Sequence, residues 1–171
     1  YDDALLELRD VLARRGCKPI AGAAFIGEHS FSSSDTPIAA GRPDASDLNQ
    51  AERFGRKIKE KLCSLSPTAP VFEIDVPGNH PYRKREAQLS ADFIAVGDNC
   101  IQCGLCAQVC PVAAIDAEGS ALTNEEKCIL CCACIKSCPE TARKMKESQI
   151  KTIAMRLNEM CKDRKEPVLF L

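Results

Sequence analysis

Two cysteine runs have the spacing of a metal-binding motif. "CIQCGLCAQVCP" (100–111) and "CILCCACIKSCP" (128–139) agree at every cysteine of the pattern CxxCxxCxxxCP when they are aligned at an offset of 28 residues. Three cysteines at a spacing of three can wrap a short loop around a compact site and present three thiolates to it, whereas a fourth must come from farther along the chain. The proline after each run redirects the backbone. The sequence therefore contains an internal duplication of a set of thiolate ligands.

The cysteines are too many and too clustered for ordinary packing. Twelve occur in 171 residues, and nine of them lie between Cys100 and Cys138, a frequency far above the usual one. Such clustering is typical of metal binding rather than of a disulfide framework. The sequence shows neither a charged and then apolar leader nor a run approaching the ~18 apolar residues of a membrane helix. We expect a cytoplasmic location, where thiols stay reduced.

The second run has one cysteine more than its pattern requires. Cys132 aligns with Gly104, so it falls outside the ligand register, and we expect it to be a small packed residue. Because a side chain stands where the first run has glycine, we also expect that this position does not need a positive φ. A four-cysteine zinc site is disfavoured, because such sites pair two CxxC knuckles across a spacer.

Residues 93–140 resemble a bacterial two-cluster ferredoxin, including "CPVAAID" after the first run and an acidic turn before the second. In that family the fourth cysteine of each run binds the other cluster. The resemblance implies an α+β ferredoxin module with two [4Fe–4S] clusters that transfers single electrons. It assigns Cys100, Cys103, Cys106 and Cys138 to cluster I, and Cys128, Cys131, Cys134 and Cys110 to cluster II.

Charge is distributed unevenly along a chain of net charge −1. Acidic residues outnumber basic ones from 97 to 140, and basic residues predominate from 141 to 165. The near-neutral whole gives no nucleic-acid signature. The acidic cysteine-rich segment favours a redox partner protein with a basic docking patch, and we expect neither nucleic acid nor membrane as a partner.

The first third of the chain predicts a helix, a strand and a helix. "DDALLELRDVLARRGCK" places Leu5, Leu8 and Leu12 on one helical face. "PIAGAAFIG" is an unalternating apolar run, which suits a short strand buried in a parallel sheet. After a long polar loop, a second helix is expected near Asp47, with Gln50 in a capping box. Its apolar stripe comprises Leu48, Ala51, Gly55, Ile58 and Leu62.

One strand cannot form a sheet. Either the remaining strands lie in chain missing from this sequence, which we favour, or "VFEIDV" (71–76) and "PVLFL" (167–171) pair with it. "TARKMKESQIKTIAMRLNEMC" predicts a C-terminal amphipathic helix. Its apolar face comprises Ile150, Ile153, Leu157, Met160 and Cys161.

A second resemblance covers nearly the whole chain. "AAFIGEHSFS", "PIAAGRPDASD" and "VPGNHPY", in this order before a two-cluster ferredoxin, are similar to the fusion family of anaerobic bacteria that joins a flavodoxin-like domain to a ferredoxin. The resemblance implies a partial α/β flavodoxin-like domain over 1–69, a linker over 70–92, the ferredoxin domain over 93–140, and a helix and tail over 141–171.

The same resemblance bears on flavin and on catalysis. The phosphate loop of a flavodoxin follows its first strand, and no such turn occurs at this N-terminus, so FMN is expected in an intact parent and not in this chain. An electron carrier without catalytic residues is the first hypothesis, and a flavin-dependent oxidoreductase is the alternative. His29 is interpreted as a loop histidine bonded to its neighbours. Cys17, Cys63 and Cys161 are interpreted as buried thiols.

Overall fold

The computed structural model describes residues 2–66, 74–84, 89, 91–116 and 122–171, in two compact units. The N-terminal unit comprises Tyr1–Gly27, Gly41–Glu86 and Arg164–Leu171, and the cysteine-rich unit comprises Glu28–Ala40 and Ala87–Asp163. The domain division predicted from the sequence stays a prediction, and its boundaries differ from those of these units. No helix in the described ranges is long and apolar enough to cross a membrane.

The N-terminal unit begins with helix α1, Ala4–Arg14, at the predicted position. Its buried face is only partly the predicted one, because Leu5 is half-buried as predicted, Leu6 is buried instead of its neighbours on the predicted face, and Leu8 is 54% exposed. Leu6 packs against Ile74. The segment that covers a helix decides which of its apolar residues are buried, and the periodicity of α1 alone does not contain that information.

Strand β1, Gly22–Ala24, pairs with the C-terminal strand β4, Val168–Phe170. The pairing is antiparallel, with Gly22 opposite Phe170, so the expected parallel arrangement is wrong. β1 is only half-buried. The segment "PVLFL" thus supplies a hydrogen-bonding neighbour for β1. Of the other candidate strand, residues 71–73 lie outside the described residues.

Helix α2, Ala45–Ser64, begins earlier than predicted because its cap is different. Asp44 is the N-cap and forms a reciprocal capping box with Asp47. The Asp47 carboxylate is fully buried and accepts two hydrogen bonds from the Arg42 guanidinium. These bonds outweigh burial and hold the pKa of Asp47 below its ordinary value. A paired, hydrogen-bonded charge of this kind can remain ionised in the interior.

The apolar stripe predicted for α2 forms its buried face only in part, since Ala51 and Ile58 are half-buried. Leu48 and Leu62 are 60% and 58% exposed, whereas Phe54 is buried. The buried face therefore runs through Asp47 and Phe54. A charged residue buried in the first turn of the helix does not appear in a hydrophobic pattern, which explains the error.

The cysteine-rich unit is a small α+β module. Strand β2, Ile94–Val96, pairs antiparallel with β3, Arg143–Met145. Two single-turn helices lie between them, α3 at Leu105–Gln108 and α4 at Ala133–Lys136, and helix α5, Gln149–Met160, follows β3. Short two-stranded sheets and helices in this order are compatible with a ferredoxin-type module.

The core of this unit contains the fully buried Phe93, with Cys132 and Ile150. Ile150 lies in the first turn of α5, as the predicted apolar face requires. Met160 of that face is 62% exposed, so the prediction is wrong for the last turn. The loop at 28–40 also belongs to this unit. Its Phe31 packs against Phe93, and His29 Nδ1 accepts a hydrogen bond from Phe31 N at 3.1 Å, as the interpretation of a loop histidine requires.

Two substitutions in α5 test this packing. We expect Ile150→Ala to lower the free energy of unfolding by about 2–5 kcal/mol, because it leaves a cavity in the core. Met155→Ala is the matched control in the same helix, since Met155 is 56% exposed, and its effect should stay within about 0.5 kcal/mol. Denaturant unfolding followed by circular dichroism measures both. Equal effects of the two substitutions would contradict the assigned burial.

Candidate metal centres

The two cysteine runs adopt the same backbone conformation. The helices α3 and α4 start at the same place in each run, 28 residues apart. Positive φ angles recur at the same offset, in the pairs Gln102 and Leu130, Gly104 and Cys132, and Ala113 and Thr141. The duplication seen in the sequence is therefore also a duplication of local structure, and each run forms the same tight loop before its short helix.

Each run contributes three cysteines to one cavity and one cysteine to the other. The first cavity is bordered by four thiol-bearing residues, Cys100, Cys103, Cys106 and Cys138. The second is bordered by Cys110, Cys128, Cys131 and Cys134, with Cys132 beside them. These are the two sets that the ferredoxin resemblance implied, brought together in space.

In each run, a backbone N–H group lies close to the sulfur of the cysteine that borders the other run's cavity. Ala114 N lies 3.2 Å from Cys110 Sγ, and Ala142 N lies 3.3 Å from Cys138 Sγ. Burial raises the pKa of the Cys138 thiol, but donors on the backbone of Arg143, Ala142 and Glu140 outweigh it and lower the pKa overall. Hydrogen bonds to the charged form favour that form. The loop after Pro139 thus favours the thiolate that a metal binds.

The cysteines surround space instead of meeting at one point. In the described ranges, no group of three or more His, Cys, Asp or Glu side chains is placed to hold a metal ion. Four thiols around each cavity, with a backbone amide donor on one sulfur of each set, are a donor set that suits an iron–sulfur cluster. The residues present therefore fit the group that the motif implies.

The structure confirms the expected burial of Cys132 and contradicts the expectation about its φ angle. It is buried, as predicted, and packs with Phe93 and Ile150. Its φ of +57° is left-handed, however, so the expectation that this position does not need a positive φ was wrong. The duplicated backbone imposes the conformation of Gly104 on both runs. Burial, with the neighbouring thiols, raises the pKa of Cys132 to about 12, and its Sγ lies 3.8 Å from Leu130 O.

The structure adds Arg143, which the sequence alone presents only as one of the basic residues that predominate from 141 to 165. Its side chain is buried, at 2% exposure, and its Nη1 lies 4.0 Å from Cys106 Sγ. Its Nη2 donates to Thr123 Oγ1. The offset of 28 contained a signal for it, because Arg143 aligns with Ile115, which is also buried. An arginine at the repeat position of a buried apolar residue is a candidate for an interior role.

The three remaining cysteines do not meet the expectation of buried thiols. Cys17 and Cys63 are exposed, and Cys161 is half-buried. The prediction was based on the general tendency of cysteine to be buried, and it took no account of where these three residues lie in the fold.

Comparison with known families bears on the first run directly. Residues 96–116 match the 4Fe-4S binding domain. The match extends from the end of β2 to Asp116 and includes Cys100, Cys103, Cys106 and Cys110. Neither the curated proteins nor the solved structures gave a match. The chain thus contains a 4Fe-4S binding domain, which supports iron–sulfur electron transfer in general.

Neighbouring substitutions test which cysteines are ligands. We expect Cys132→Gly to retain the full iron content, because glycine adopts the observed left-handed conformation easily and the thiol is not in the ligand register. Cys131→Gly should lose iron, because it removes a predicted ligand. Iron and sulfide analysis of the two variants, prepared anaerobically, makes the comparison. Loss of iron from the Cys132 variant would overturn the register.

Proposed function

We propose that this protein carries single electrons through two [4Fe–4S] clusters. The observation that supports the proposal most strongly is the pair of cavities, each bordered by three cysteines of one run and the fourth cysteine of the other. The family match covers the first run only. The second cluster is inferred from the repeat of sequence and backbone at an offset of 28 residues.

The ligands proposed are those that the resemblance implied. Cluster I takes Cys100, Cys103, Cys106 and Cys138, and cluster II takes Cys128, Cys131, Cys134 and Cys110. When bound, a [4Fe–4S] cluster supplies one-electron chemistry at a potential set by net charge, hydrogen bonds to sulfur and solvent exposure. Four cysteines for each cluster leave no ligand position for a substrate, which favours a carrier over an enzyme.

The chain's own residues control the surroundings of these sites. The N–H groups of Ala114 and Ala142 donate to the sulfurs of Cys110 and Cys138, and hydrogen bonds to sulfur are among the factors that set the potential of a cluster. Two isoleucines border the cavities at equivalent positions, Ile101 in the first run and Ile129 in the second, and are 61% and 57% exposed. Their exposed apolar side chains place each cavity near the protein surface, where an electron can be exchanged with a partner.

The partner proposed is a redox protein with a basic docking patch. This proposal is supported by the excess of acidic residues over basic ones between 97 and 140. Of the two lysines in that range, Lys136 lies 3.4 Å from the Glu28 carboxylate, which partly neutralises it. Complementary charge accelerates association and makes it sensitive to salt. A reducing cytoplasm is the compartment that suits free thiols and this chemistry.

A flavin-dependent iron–sulfur oxidoreductase is the second candidate. It is supported by the three N-terminal segments that resemble the flavodoxin–ferredoxin fusion family, and by the order helix, strand and helix of α1, β1 and α2. The proposal places the N-terminal unit in a partial flavodoxin-like domain, with FMN bound by an intact parent. The discriminating feature is flavin that copurifies with the protein.

One anaerobic preparation tests the proposed function. We expect about eight iron and eight sulfide per chain, from two clusters of four each, with no flavin. Reduction by dithionite, followed by electron paramagnetic resonance, should give two reducible clusters per chain. Bound zinc, or clusters that dithionite does not reduce, would contradict electron transfer. Stoichiometric flavin would favour the oxidoreductase.

A further inference from the structure

The described part of the cysteine-rich unit contains a buried positive charge that the ligand assignment does not explain. Arg143 lies at the start of β3 and is 2% exposed. Its neighbour on the same strand, Lys144, is exposed. A buried guanidinium is costly unless it is hydrogen-bonded and near negative charge. The groups that contact Arg143 therefore indicate the role of its buried charge.

Arg143 contacts cysteines from both ligand sets. Its Nη1 lies 4.0 Å from Sγ of Cys106, which belongs to the first set. Its side chain also hydrogen-bonds Cys134, which belongs to the second set. It also borders the first cavity together with Cys138, the cysteine that crosses from the second run. The planar guanidinium fork can reach two acceptors in a way that a lysine ammonium cannot.

The repeat shows that the fold does not require an arginine here. Ile115 occupies the equivalent position after the first run and is buried, at 6% exposure. Both residues are paired in β-structure, Arg143 with Val96 and Ile115 with Thr123. The same backbone therefore accepts an apolar side chain at one copy and a cation at the other. Thr123 connects the two places, because its hydroxyl accepts a hydrogen bond from Arg143 Nη2.

A positive charge at the position of Arg143 changes the electrostatic potential at the two cysteine sites. Thiolate-bound clusters become more negative on reduction, and their potentials depend on net charge and on hydrogen bonds to sulfur. A charge buried beside them is screened much less than one in water. A fixed positive charge stabilises the reduced form more than the oxidised form, and so raises the potential.

We propose that Arg143 is a positioning residue shared by the two clusters, whose buried guanidinium raises the reduction potentials of both. The proposal rests on the proposed function, because it requires both sites to hold clusters. It adds a specific role for one residue outside the ligand set.

The test compares Arg143→Met with Lys144→Met in the anaerobically prepared full chain. Both remove one positive charge from β3, but only the first removes it from the interior. We expect Arg143→Met to move both midpoint potentials to lower values, and Lys144→Met to leave both at the wild-type values. Redox titration followed by electron paramagnetic resonance measures the potentials, and integrated spin with iron analysis confirms equal loading.

Three outcomes would overturn the proposal. These are wild-type potentials in a fully loaded Arg143→Met protein, a shift of one potential only, or an equal shift caused by Lys144→Met. If Arg143→Met does not load iron, Arg143→Gln is the test, since it removes the charge but keeps a hydrogen-bond donor, and it should lower both potentials. Unchanged potentials in that variant would then overturn it. Two reducible clusters in the wild-type protein establish the proposed function separately from either result.

Discussion

The constraint on which the cysteine-rich unit depends is that each cysteine run must send one residue into the cavity of the other. Cys110 borders the cavity of the second run, and Cys138 borders that of the first. Neither site is therefore complete without both halves of the repeat. In the proposed assignment, such shared ligands would hold together a small module with a limited apolar core, because metal binding contributes directly to folding.

The repeat explains both what could be predicted from the sequence and what could not. Cysteine spacing defines the ligand register, because it depends on covalent geometry within a few residues. It does not reveal that Cys132 takes the left-handed conformation of Gly104. That conformation is unfavourable for a residue with a side chain, and only the structural equivalence of the two loops makes it necessary. Arg143 escaped prediction for a similar reason. An arginine is usually exposed, and only its position in space places it beside the cysteines.

The positions of the helices follow from the sequence more closely than the identity of their buried residues does. The helices α1, α2 and α5 form where their amphipathic periodicity predicts them, to within a few residues, although the cap of α2 differs from the predicted one. The faces predicted to be buried in α1 and α2 were not fully correct. The segment that covers α1 comes from a distant part of the chain, and the ion pair buried against α2 does not appear in an apolar pattern. The direction of the β1 pairing was wrong as well. An apolar run specifies neither which segment pairs with it nor whether that segment runs parallel.

The central claim is the crossed ligation of two clusters, and diffraction from anaerobic crystals tests it most directly. An anomalous difference map at the iron edge should show two separate groups of iron, one in each cavity. The account predicts that Cys110 Sγ binds the group held by the second run and that Cys138 Sγ binds the group held by the first. A single iron group, or two groups each bound by the four cysteines of its own run, would contradict it.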